Sequence, residues 1–440
     1  MKQDTSSPKN IIISHVYSSD NKGDAALTSV LIDDLKRKFP HAAITILKLE
    51  SVKRNGHFEG VPEKASFMYH ALNRHNNPLA KLAYTLYMMS ATLLWAIYRH
   101  HTGKYLPLPA HLKTIAKQYE RADLIVPVGG GYLRSRKGLL NRFNIPLLLH
   151  PLLFGYLLGK PTVLYSQSVG PFQNKWERLL VAFVLKRMTL ILVREDTSAE
   201  LLAGMGVNRN IARSVDAGFL LRSKSKLNIR KLYHIPARKL LVGVTVRSWL
   251  KGEAQASYEL AVAKALDAII ETSAAHVIFI PQVTANKGDD DRVVSRRVHG
   301  LMRHIAATTV IEDAPDHHRI KAIYDNLDIL LGTRFHSVIF SLTSFVPVLA
   351  IEYEHKTSGI MHDLKLEHWV IKMEEVTAPA LTKLLLKLIR QQPQYRARLH
   401  IQLPPYIQQA TETVNLLADS YAAAKKEAAA KQLPRNQSLK

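Results

Sequence analysis

Arg334 and His336 sit two residues apart at the head of an apolar run, and Lys356 follows at its far end, in "GTRFHSVIFSLTSFVPVLAIEYEHKTSG". An arginine presents a planar fork of donors that matches phosphate or carboxylate at two points, whereas a lysine is a point charge. The set fits a phosphate-bearing substrate; the plainer alternative is a pair of solvated ends on a buried strand and helix. Two more arginines close strand-like runs, Arg194 in "ILVRED" and Arg247 in "GVTVRSW". For Arg194 the neighbouring acids offer salt bridges as the alternative. Asn21, Gly23 and Asp24 lie in a loop between the first strand and first helix, where they bind a ligand or form an Asx-type cap. Gly129, Gly130 and Gly131 follow a strand directly, and their bare N–H groups can approach an anion or simply make a tight turn.

Other chemistries find no support in the spacing. There is no Walker A loop, HExxH or GxSxG, the chain has no cysteine, and its 20 histidines are scattered, so neither a disulfide nor a tightly held metal or cofactor is expected. The balance of 60 basic against 36 acidic residues gives a formal charge of +24, a field that attracts anions. Zinc-finger spacing and RNP-like aromatics are missing, so nucleic acid is not the expected partner. The polar start "MKQDTSSPKN" lacks the apolar core of a secretory signal, and a cytoplasmic protein is expected. One uncharged segment, 82–98, is flanked by Lys81 and by Arg99, His100 and His101. It is at the short edge of membrane-spanning length, so a buried or membrane-surface helix is favoured.

Short β-branched runs alternate with helix-spaced stretches from "NIIISHVY" onward, the pattern of parallel sheets with crossover helices. The alternation stops in the basic, aperiodic stretch 221–239 and then resumes. The expected fold is therefore α/β, with two Rossmann-like domains facing a cleft. The first spans 1–220, with an apolar helical insertion near 78–119. After the 221–239 linker the second spans 240–395, and 396–440 forms a helix and flexible tail. In such sheets ligands sit at the carboxyl ends of the strands.

In order along the chain, "NKGDAAL", "VPVGGGYL", "YSQSVGPF", "VREDTSAELL", "DAGF", "VTVRSW", "IPQV" and "GTRFHSVIFSLTSFVPVLAIEYEHKTSGIM" resemble the motifs of the polysaccharide pyruvyl transferase family. The resemblance covers about 10–375 and implies a GT-B-like fold. It also implies transfer of the enolpyruvyl carbons of phosphoenolpyruvate to a sugar as a ketal, with release of phosphate and no further cofactor. On that reading Arg334, Arg247, Lys356 and Arg194 bind the donor, and His336 is proton donor or phosphate ligand. Asn21, Gly23, Asp24 and Gly129–Gly131 would hold the acceptor on the amino-terminal half, with Asp24 as a base. A lipid-linked acceptor would give the net charge and the apolar segment a reason, at the inner face of the cytoplasmic membrane. Two readings stay open beside it: a nucleotide-sugar glycosyltransferase on the same architecture, and a non-catalytic membrane-surface component of a polysaccharide assembly complex.

Overall fold

The runs expected as strands are strands because their residues are β-branched or aliphatic and can be buried on both faces, as parallel sheets require. The computed structural model describes residues 7–49, 58–135, 143–237, 239–285, 289–354 and 356–432. The chain divides into two units, 1–18 with 27–217 and 409–440, and 19–26 with 218–408.

The first unit holds β1 (Asn10–Val16), β2 (Ala43–Lys48), β3 (Glu63–Ala65), β4 (Leu124–Pro127), β5 (Gly130–Leu133), β6 (Val163–Val169), β7 (Leu190–Val193) and β8 (Ile211–Arg213). They pair in parallel in the orders β3-β2-β1-β4 and β5-β6-β7-β8. A parallel bridge between Ile125 and Thr162, with the Ile125 N–H bonded to the Pro161 carbonyl at 3.0 Å, joins the two sets along β4. Since β5 continues β4 after Val128 and Gly129, the result is a doubly wound sheet with the first strand near its centre.

The second unit holds β9 (Leu240–Thr245), β10 (Ala275–Phe279), β11 (Thr308–Val310), β12 (Ile329–Gly332), β13 (Val348–Glu352) and β14 (Val370–Lys372), all parallel in the order β11-β10-β9-β12-β13-β14. This is the dinucleotide-fold order again, with its switch point between β9 and β12. The residues of β10, β12 and β13 are buried throughout.

The expected 78–119 insertion is two helices, Pro78–Thr102 and Ala110–Arg121. The first starts where the Asn77 side chain accepts the N–H groups of Leu79 and Ala80, and stops at Gly103, whose φ of +70° suits glycine. Among the described residues no helix is long and apolar enough to cross a membrane. The expected linker 221–239 contains a short helix, Ile229–Leu232, capped by Asn228, and it groups with the second unit. The carboxyl-terminal helix runs Gln392–Gln432, and residues 433–440 of the expected tail lie outside the described residues.

One segment departs from the expected division. Residues 19–26 follow β1 but group with the second unit, because they continue the edge beyond β10. The Lys22 N–H donates to the Gln282 carbonyl at 2.9 Å, and the Thr284 N–H donates to that of Asp20 at 3.0 Å. Asn21 and Val283 complete an antiparallel bridge.

Candidate active site

The switch point of the second sheet is built by its own loops. After β12, Thr333 and Arg334 turn into the helix Phe335–Leu342, with Arg334 as the capping residue. Thr245, the last residue of β9, locks that turn: its Oγ1 accepts the N–H of Thr333 at 2.9 Å and lies 2.9 Å from Ser337 Oγ. Tyr258 adds a contact from its hydroxyl to Thr333 Oγ1 at 3.0 Å. The turn therefore fixes where the Arg334 side chain leaves the backbone.

That side chain is only 9% exposed and is gripped by two carboxylates. Its Nε and Nη2 donate to Asp291 Oδ1 at 3.0 and 2.5 Å, and Nη2 also donates to Asp289 Oδ1 at 2.7 Å. Asp291 Oδ2 accepts the N–H groups of Gln282 and Val283, both at 3.0 Å, which ties the arginine to the end of β10. Burial pushes the Asp291 carboxyl above its ordinary value, against the opposing pull of Arg334. Asp289 differs: burial raises it, but Arg334 and Arg247 together outweigh that and hold it below the usual range. Burial alone would lower Arg334, yet the two carboxylates raise it, so it stays a cation.

Arg247, two residues beyond β9, reaches the same place. Its Nη2 lies 3.5 Å from Asp289 Oδ2, and its guanidinium is 4.7 Å from the Trp249 ring centre and 4.3 Å from that of Tyr353. Aromatic faces on the guanidinium orient it without neutralising it. Its Nε is buried without a hydrogen-bond partner among the described residues. Lys356 opens the helix Lys356–Asp363 beyond β13, with Nζ 3.8 Å from Glu354 Oε2.

His336 stands in the first turn after Arg334, and its ring covers Gly23 so closely that a Cβ there would fall 2.0 Å from Nδ1. The loop under the ring is self-capped. Asn21 Oδ1 accepts the Gly23 N–H at 3.1 Å, and Asn21 Nδ2 donates to Asp24 Oδ2 at 2.9 Å. The Asx-cap alternative thus describes the local bonds, while the loop also seats His336. Asn21, Gly23 and Asp24, expected on the acceptor half, lie instead in the unit of Arg334 and His336.

The remaining expected residues belong to the first unit. Arg194 is 3% exposed, paired through Nη1 with the buried Asp216, and donates from Nε to Ser168 Oγ at 2.7 Å. Its fork fastens β6 and β7 to the turn after β8, in the unit that does not hold Arg334. Gly129 is set by packing, since a Cβ would meet the Ser166 and Tyr165 carbonyl oxygens at 2.7 Å; Gly130 has φ +148° and Gly131 follows in β5.

Sequence reasoning passed over Asp289, Asp291, Trp249 and Tyr353, although the run of three acids that opens the helix Asp291–Gly300 was a readable signal. It also passed over His15, Tyr132 and Gln167 at the carboxyl edge of the first sheet. His15 takes φ +61°, stacks on Tyr132 at 5.0 Å and places Nε2 2.8 Å from the Leu148 carbonyl. Gln167 Nε2 donates to Tyr132 Oη at 2.7 Å. Beside this edge lies a cavity of about 370 Å³ lined by Tyr17, Leu49, Met68, Leu82 and Leu147, with Lys81 as its charged group. Among the described residues no cluster of histidine and carboxylate has metal-binding form.

Two doubly wound sheets, the second with two arginines paired to carboxylates at its switch point, define a Rossmann-like architecture, and comparison with known proteins gives the class. Residues 21–355 match the polysaccharide pyruvyl transferase family, and the chain belongs to that family. The amylovoran biosynthesis protein AmsJ of Erwinia amylovora is 25% identical over 372 residues, which cover 80% of this chain and 85% of that one. Among solved structures, a putative UDP-N-acetylglucosamine 2-epimerase from Listeria monocytogenes superposes with a TM-score of 0.61 at 11% identity, covering 98% of this chain and 99% of that one. A glycosyltransferase from Rickettsia africae gives 0.52 at 13% identity, covering 98% and 99%. These likenesses establish the GT-B-like fold, and the family makes the protein a transferase of polysaccharide biosynthesis.

Proposed function

We propose that this protein transfers the enolpyruvyl carbons of phosphoenolpyruvate to two hydroxyls of a sugar as a ketal, in exopolysaccharide, capsule or cell-wall polymer synthesis. The observation that carries the reading is the sharing of Asp289 by Arg334 and Arg247 at the switch point. Asp289 is 47% exposed on its side chain, unlike Asp291 at 1%, so it holds the position an incoming anion would take between two cations. Phosphoenolpyruvate offers both a phosphate and a carboxylate for those forks. Lys356 adds charge from the neighbouring strand end.

The chemistry adds one proton to the donor's methylene carbon, making it a methyl group and leaving an oxocarbenium-like neighbour. One sugar hydroxyl bonds to that neighbour; the second then displaces phosphate as the C–O bond to phosphorus's bridging oxygen breaks. Of the two hydroxyl protons, one balances the methyl group and the other leaves with phosphate. On this reading His336, its ring packed over Gly23, carries these protons, and Asp24 is a base toward the acceptor. We assign acceptor binding to Gly130 and Gly131, with the cavity at Tyr17 and Leu82 as support for a lipid-linked acceptor.

The test is phosphate release from phosphoenolpyruvate, with and without a lipid-linked glycan fraction. Release that requires the glycan and disappears in Arg334→Ala and His336→Ala supports the reading. The likeness to a glycosyltransferase favours one alternative, a nucleotide-sugar donor. Binding of a nucleoside diphosphate together with indifference to phosphoenolpyruvate would establish that alternative.

A further inference from the structure

The helix Pro78–Thr102 is apolar on both sides. Thr85, Met88, Thr92, Trp95 and Ala96 face inward and are buried. On the opposite side Leu79, Leu86, Leu94 and Ile97 recur at helical spacing and lie open, Leu79 at 78% and Leu94 at 59% exposure. The helix Lys175–Leu185 repeats the pattern with Trp176, Leu179 and Phe183 exposed, Leu179 at 72%. Soluble surfaces rarely leave so many large apolar side chains in line.

The two stripes are connected. The helix Asn144–Leu157 packs against both helices and exposes Tyr156. The Arg187 guanidinium lies 5.7 Å from the Tyr156 ring centre and 3.6 Å from that of Phe183. At the other side, a Cβ on Gly159 would stand 3.8 Å from the His100 ring.

Charge indicates what covers this face. The three helices contain a single acid, Glu177, which is buried and bonded to Ser135 Oγ at 2.6 Å. Beside the stripes His100, His101, Lys175, Arg178 and Lys186 are exposed. Aliphatic and aromatic residues inside a basic rim match the boundary of an anionic bilayer, where the apolar face enters and the cations meet headgroups. We propose that the outer face of helices 78–102 and 175–185 docks this protein on an anionic membrane surface. The inference rests on this surface and not on the donor chemistry.

The test is flotation of the full chain with vesicles of phosphatidylglycerol and phosphatidylcholine in equal parts, against phosphatidylcholine alone. Wild type should float with the anionic vesicles and be released by high salt. The double variant Leu94→Glu/Leu179→Glu should lose on the order of tenfold or more in partitioning, with its melting temperature unchanged. Three results would overturn the proposal. One is no binding to anionic vesicles, and another is undiminished binding of the double variant. The third is a dimer in sedimentation that the double variant dissociates without any vesicle binding, since a second copy would then cover the face.

Discussion

Asp289 and Asp291 share one arginine, and the two carboxylates should answer mutation in opposite ways. Asp291 is buried and also carries two backbone N–H groups. Asp291→Ala would leave the buried Arg334 with Asp289 alone and orphan the Gln282 and Val283 N–H groups, lowering stability by up to about 3–5 kcal/mol in denaturant unfolding. Asp289 is half exposed, and on the proposed reading it occupies the place of the donor anion, so Asp289→Asn should tighten binding of inorganic phosphate by roughly twofold to fivefold, the scale of an exposed ion pair. Titration calorimetry reads that change, and weaker binding would refute the role given to Asp289. Gly23→Ala drives a methyl group into His336 Nδ1. Displacing a catalytic ring by about an ångström costs on the order of a hundredfold in rate, so kcat should collapse while the melting temperature moves little.

The elements answer to pH through their buried histidines. Burial lowers His15 to about 4 and His150 to about 3, both from 6.5, and both lie in the first unit. Both pKa values are depressed by folding, so the unfolded chain takes up protons first. Their contribution is complete above 6.5 and is lost as pH falls from there toward about 4 for His15 and about 3 for His150. Urea unfolding across that window should show falling stability, with a shallower fall in His150→Gln. At the same scale lies the boundary of what could be read from the sequence. Strands such as "LLVGVT" and "VLAIE" declared themselves because parallel strands are buried on both faces and need no alternation. Arg334 and His336 were legible because they directly follow such a strand. The docking of 19–26 was not legible, since it depends on backbone bonds to Gln282 and Thr284 that helical spacing does not encode. The partner of Arg194 was not legible for a related reason: a strand-end arginine reads the same in sequence whatever it meets, and here it meets Asp216.

For the whole molecule, two doubly wound sheets each bring loop residues to their carboxyl edges, and the net charge of +24 favours anionic substrates and surfaces at long range. Association with donor should therefore slow as ionic strength rises, because exposed charges are screened beyond about 10 Å at 0.1 M salt. Stopped-flow binding of phosphoenolpyruvate across a salt series measures this. The most direct test of the account is the product itself. Phosphoenolpyruvate labelled with carbon-13 in its three carbons, incubated with protein and a glycan acceptor, should give a glycan that gains all three labelled carbons in a ketal seen by mass spectrometry and carbon NMR, with equimolar phosphate. A glycan that stays unlabelled while gaining a hexose from a nucleotide sugar would contradict the account.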